Sequence, residues 1–109
     1  MSAPSRPPRV LGKVATRMLW ENERVRVWEM DLAPGARSDT HRHDLDYVLV
    51  QLAGDRIAAE FEPDSGGTRT GYVEGEVELG KTRFIARGGI ETAINVGTRR
   101  YREILIELK

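Results

Sequence analysis

The feature that most restricts this chain is a succession of short strand-like runs, each cut off by a glycine-containing turn, with no segment carrying a helical stripe. Arg24 to Met30 alternates and is rich in β-formers, and Ala33-Pro34-Gly35 turns the chain. Tyr47 to Leu52 is almost continuously apolar and ends at Gly54-Asp55. Arg56 to Phe61, Thr68 to Val73, Gly75 to Leu79, Thr82 to Ala86, Ile90 to Val96 and Tyr101 to Leu108 follow, separated by Pro63–Gly67, Gly80-Lys81, Gly88-Gly89 and Gly97-Thr98. Short strands at this spacing predict an all-β sandwich or barrel. Pro63 to Gly67 predicts a hairpin tip, with Thr68 to Val73 as the return strand.

At 109 residues the chain suffices for one domain with a modest core. Residues 1–9, rich in Ser, Pro and Arg, read as a disordered tail, and residues 10–109 as the single domain. Acidic and basic residues balance at 17 each, so no general attraction to nucleic acid or anionic membrane is expected. With no cysteine, disulfides and thiolate metal sites are excluded. The start of the chain lacks an apolar signal-peptide core and no run reaches membrane-span length, which predicts a soluble, cytoplasmic protein. Arginine far outnumbers lysine, an association with GC-rich bacterial genomes.

His41-Arg42-His43 contains the chain's 2 histidines. On a strand, residues two apart share a face, so both imidazoles can reach one ion while Arg42 points away. Two half-exposed strand histidines would look the same in isolation, and an ion needs a further ligand from elsewhere.

The flanking residues are more specific. Gly35, His41, His43, Tyr47 and Gly54 stand at the spacings of a motif that runs glycine, five residues, histidine, one, histidine, three, glutamate, six, glycine. Gly80, Ala86, Gly88, Glu91 and Asn95 stand at those of a second, which runs glycine, five, proline, one, glycine, two, histidine, three, asparagine. These are the two motifs of the cupin superfamily, and the sequence resembles it from about Val25 to Leu108. The resemblance implies a double-stranded β-helix, or jelly-roll, barrel of the small single-domain, conserved-barrel kind. It also implies a mononuclear divalent metal (Fe, Mn, Ni or Zn) inside the barrel, and homodimers paired through the N-terminal strands, here residues 10–32. The run His-Arg-His to Asp46-Tyr47-Val48 also resembles, more loosely, bacterial cupins associated with β-alanine degradation.

The departures fall on the ligand positions. Tyr47 replaces the family's glutamate, Glu91 replaces its third histidine, and Ala86 replaces a turn proline. Three neutral histidines and one carboxylate leave a divalent ion with one net positive charge; His41, His43 and Glu91 leave the same. Two histidines and a carboxylate are also the ligand set of non-haem Fe(II) oxygenases, which keep positions open for substrate and oxygen. Glu91 and Tyr47 are thus candidate catalytic groups. Tyr47 has three readings: a phenolate ligand, a hydrogen-bond donor to substrate or metal-bound water, or barrel filling with its hydroxyl on Glu91. Without an ion, Glu91 would accept hydrogen bonds from the histidines or Tyr47, as a buried carboxylate must.

Gln51 shares a strand face with Tyr47 and is a candidate substrate contact, or else a rim residue. Arg83 and Arg87 flank the second motif, and one of them, Arg87 by preference, is placed to meet a substrate carboxylate. Asp44 and Asp46 are candidate outer acceptors for the histidines. A metal-dependent enzyme on a small molecule, of oxygenase, isomerase or lyase type, and a non-catalytic small-ligand-binding protein both fit. A DNA-binding regulator does not, for want of a helix-turn-helix pattern and a basic patch.

Overall fold

The computed structural model describes residues 9–67 and 69–109. Nine strands are formed among them and no helix: β1 (Arg17–Glu21), β2 (Val25–Leu32), β3 (His41–Arg42), β4 (Tyr47–Ala53), β5 (Arg56–Phe61), β6 (Tyr72–Glu76), β7 (Thr82–Ile85), β8 (Ile90–Asn95) and β9 (Tyr101–Leu108). They build a five-stranded sheet ordered β1-β2-β9-β4-β7 and a four-stranded sheet ordered β3-β8-β5-β6. All pairings are antiparallel. The expected jelly-roll barrel is the observed architecture.

Alternation explains which residues enter the barrel. Along β9, Tyr101, Glu103, Leu105 and Glu107 are buried and the residues between them are not. On β2, Trp28, Met30 and Leu32 supply the interior face, and Met30 and Leu32 pack with Ala15 and Tyr101. A second cluster joins Val14, Tyr47 and Leu105. The apolar run of β4 behaves the same way: Tyr47 and Gln51 are its buried members, and Leu52 is exposed on the outer face.

Two motif residues hold the turns. Gly54 has φ +120°, and a Cβ there would lie 3.0 Å from the Tyr101 ring, so both backbone and space require glycine. Asn95 is fully buried. Its Nδ2 donates to Leu32 O at 2.9 Å and Arg99 O at 2.8 Å, and its Oδ1 accepts from Gly97 N at 3.0 Å. That one side chain ties β2 and β8 to the turn before β9.

The segment from 62 to 82 departs from expectation. Instead of two strands there is one, β6, reaching from the end of the first expected run into the second. The connection from β5 is also longer than a tight hairpin tip. Phe61 N donates to Gly71 O at 2.7 Å, and between them Gly66 N donates to Gly88 O at 2.8 Å. The loop is thereby fastened across the barrel mouth to the β7–β8 turn, a long-range contact that overrides the local turn preference of Pro63–Gly67. β1 was not expected; all five of its residues are exposed, so it lacks the alternation by which strands are recognised. Of the expected disordered tail, residues 1–8 lie outside the described residues, and Arg9 pairs with Glu62 at 3.2 Å and Asp64 at 2.8 Å.

Candidate metal centre

His41 and Glu91 are register partners on β3 and β8. Directly opposed residues on antiparallel strands project to the same face. His43 follows two residues after His41, and its backbone continues the alternation: His43 N donates to Gly89 O at 2.9 Å, and Gly88 N donates to His43 O at 2.8 Å. Both histidines are buried, and Arg42 between them is exposed. The four-stranded sheet therefore delivers all three side chains to one spot in the barrel.

Their donor atoms converge. Nε2 of His41 and Nε2 of His43 are 3.1 Å apart, Nε2 of His43 is 3.1 Å from Glu91 Oε1, and Nε2 of His41 is 3.8 Å from the same oxygen. Bonds of about 2.1 Å to one ion would separate two ligand atoms by about 3.0 Å at a right angle and about 3.4 Å at a tetrahedral one. The donor set thus fits a single divalent ion with little movement. His41 is also oriented for it: Asp39 O lies 2.8 Å from Nδ1, so Nδ1–H donates there and the Nε2 lone pair faces the cluster. His43 Nδ1 is buried with no partner among the described residues.

The charge state suits ligation. Burial alone would raise the Glu91 pKa, but hydrogen bonds and charge from His41 and His43 outweigh it and hold the carboxyl down at about 2. Glu91 is an anion at any physiological pH.

Tyr47, on the facing sheet, stacks on His43 with ring centroids 4.1 Å apart and planes 21° from parallel. Its hydroxyl bonds no described residue, Glu91 included, although the ring lines the cavity. Burial, reinforced by the Glu91 charge, pushes the phenol pKa upward, which opposes a phenolate ligand. The hydroxyl is left as a neutral donor at the cavity.

The cavity between the sheets measures about 480 Å³, room for a metabolite-sized molecule. Its walls are largely apolar, with Ile57, Ala58, Phe61, Leu49 and Leu105 among them. Gln51 is buried on this wall rather than placed at the rim. However, its Nε2 donates to Tyr101 Oη at 3.4 Å and its Oε1 accepts from Glu78 N at 3.0 Å, so its polar atoms are engaged within the protein. Arg87 does not line the cavity: its side chain is 70% exposed, and its backbone N–H donates to Asp46 at 2.9 Å. Arg83, four residues earlier and on β7, does line it, as does Arg69. Asp44 pairs with Arg42 and Asp46 takes the Arg87 N–H, so neither receives a histidine proton; the backbone oxygen of Asp39 does.

Sequence reasoning missed Glu103. It is buried on β9 opposite Gln51, and Tyr101 Oη donates to its Oε1 at 2.6 Å. Burial pushes its pKa up to about 7 against that hydrogen bond, and the Glu91 charge adds to the rise. The available signal was the position of Glu103 on the inward phase of YREILIEL, an acid where the pattern requires an apolar residue.

Known structures share this fold. A cupin domain from Bordetella pertussis Tohama I superposes with a TM-score of 0.73 at 27% identity, covering 94% of this chain and 99% of that one. The barrel has the cupin fold. A cupin 2 conserved barrel domain protein from Salinispora arenicola CNS-205 matches at TM-score 0.61 and 12% identity, over 85% of this chain and 73% of the other. An oxalate oxidase matches at TM-score 0.58 and 21% identity, over 75% of this chain but 40% of its own, so that likeness concerns the fold alone. No protein-family model and no curated protein matches the sequence. Within this cupin fold, His41, His43 and Glu91 form a candidate metal triad, with Tyr47 where the superfamily motif has a carboxylate.

Proposed function

We propose that this cupin is a metal-dependent enzyme acting on a small molecule held in the barrel, with one first-row divalent ion (Fe, Mn, Ni or Zn) bound by His41, His43 and Glu91. The carrying observation is the convergence of two imidazole nitrogens and one carboxylate oxygen within 3.1–3.8 Å of one another. A bound ion would supply Lewis-acid or oxygen-activating chemistry, with coordination positions left open for substrate. The protein's own groups do the rest. Asp39 O fixes the His41 tautomer, the Glu91 charge offsets the ion, the apolar walls exclude water, and the Tyr47 hydroxyl donates to whatever enters.

Metal analysis of the protein, purified after expression with iron, manganese, nickel and zinc supplied, tests this directly. One ion per chain is expected, and metal-free protein under those conditions overturns it. A second reading, a cupin that binds its ligand without turnover, is favoured by Tyr47, because a three-ligand centre lacks the fourth protein ligand implied by the motif. Metal and ligand bound with no chemical change in the ligand would select it.

We also propose a homodimer formed through β1. This strand is an edge of its sheet, and Met18, Leu19 and Trp20 on it are 47%, 42% and 52% exposed. Pairing β1 with its copy would cover both the open backbone edge and these side chains. The cysteine-free composition suits a reducing cytoplasm.

A further inference from the structure

The wall facing the metal triad carries a second polar arrangement. Glu103 is buried on β9, and Tyr101 and Gln51 form a chain behind it: Gln51 Nε2 donates to Tyr101 Oη at 3.4 Å, and Tyr101 Oη donates to Glu103 Oε1 at 2.6 Å. The chain ends on Oε1; Oε2 has no hydrogen-bond donor among the described residues, and the residue lines the cavity. Oε2 is not among the buried atoms that lack a partner, so it keeps accessible surface and is open to a donor that enters the cavity.

Arg83 lines the same cavity from β7, with no carboxylate in ion-pair range among the described residues. β7 and β9 flank β4 on either side, with Arg83 opposite Leu49, and Glu103 opposite Gln51 two residues farther along. With strands about 4.8 Å apart, the two backbones are separated by roughly 10 Å or more, and both side chains line the cavity. One wall thus offers a cation and, a short molecule's length away, a hydrogen-bond acceptor. The cavity of about 480 Å³ leaves room for both to be met at once.

We propose that Glu103 and Arg83 form a recognition site for a small hydroxycarboxylate, the ligand's carboxylate pairing with Arg83 and its hydroxyl donating to Glu103 Oε2. Tyr101 and Gln51 are positioning residues that hold Glu103 in place. The guanidinium fork suits a carboxylate bidentately. The acceptor discriminates because a ligand without the hydroxyl leaves Oε2 unpaired. This inference rests on the reading of the barrel as a small-molecule site and not on the metal.

Titration calorimetry of the full chain tests it, with 2-, 3- and 4-hydroxybutyrate, butyrate and 1,3-butanediol as probes. At least one hydroxybutyrate is expected to bind about tenfold or more tightly than butyrate and than the diol. E103Q should abolish the preference over butyrate. R83Q should weaken the acids about tenfold and leave the diol unchanged. Tyr101→Phe, which frees the carboxylate but retains it, should reduce the hydroxyl preference in part and serves in place of E103Q if that variant loses the wild-type circular dichroism. Binding of none of the hydroxybutyrates, or preferences unmoved in these variants, overturns the proposal. The same titrations after EDTA treatment, with metal content measured separately, distinguish its failure from failure of the metal reading: selectivity that depends on Glu103 and Arg83 without an ion leaves this site standing alone.

Discussion

His41 on β3 and Glu91 on β8 face each other as direct register partners, and that single pairing brings the second motif's carboxylate to the first motif's histidines. Without it Glu91 would lie on an unrelated part of the chain, 48 residues beyond His43.

If the triad holds an ion, its members are not equivalent to their neighbours. His41→Ala and Glu91→Ala should each lose stoichiometric metal, with affinity reduced at least about 100-fold, whereas Arg87→Ala should retain it. Elemental analysis after dialysis reads all three. Metal loss in H41A with full retention in E91A would keep the histidines and reject the carboxylate as a ligand.

Tyr47 separates two roles. The ring stacks on His43, while the hydroxyl bonds no described residue. Tyr47→Phe should therefore keep the metal and change stability by less than about 1 kcal/mol, yet lower ligand affinity or turnover. Tyr47→Ala removes the stack and should cost about 3–5 kcal/mol in denaturant unfolding.

The buried Glu103 sets a pH dependence in metal-free protein. Its pKa rises from 4.5 to about 7 on folding. Between those values the folded chain holds a proton that the unfolded chain has released. Stability from this group is complete below about 4.5 and is lost as pH rises through about 7, a change on the order of 3 kcal/mol. Urea unfolding in EDTA from about pH 5 to 8 should show this decline, and E103Q should flatten it. A slope unaltered in E103Q would assign the dependence elsewhere.

Asn95 bridges β2, β8 and the following turn through three hydrogen bonds with no solvent to replace them. Asn95→Ala should destabilise by about 3 kcal/mol, lowering Tm by roughly 10–20 °C in a domain of this size.

For the dimer, Trp20→Glu places a charge on the exposed β1 edge. Light scattering should show the wild type as a dimer and W20E shifted toward monomer at micromolar concentration. A monomeric wild type would remove the proposal.

Much of the barrel was legible in the chain alone. Alternation marked β2, and strand-like runs bounded by turns marked β5 and β9, all to within two residues, because strand residues and turn residues are local signals. The glycines of the two motifs were readable for a similar reason: Gly35, Gly54, Gly80 and Gly88 all adopt positive φ, which L side chains rarely tolerate. His41 and His43, two apart, shared a face by local geometry. What only the tertiary structure decided were relations across the sheets. Glu91 reaches His43 across 48 residues of chain, the loop after β5 is fastened to Gly88, and Gln51 proves committed to Tyr101 instead of free for a ligand. Arg83 lines the cavity while Arg87 does not, and Glu103 sits on the facing wall. Local sequence sets which residues share a face. Register between distant strands sets which faces meet, and it is determined by the collective packing of both sheets, which no short stretch of sequence contains.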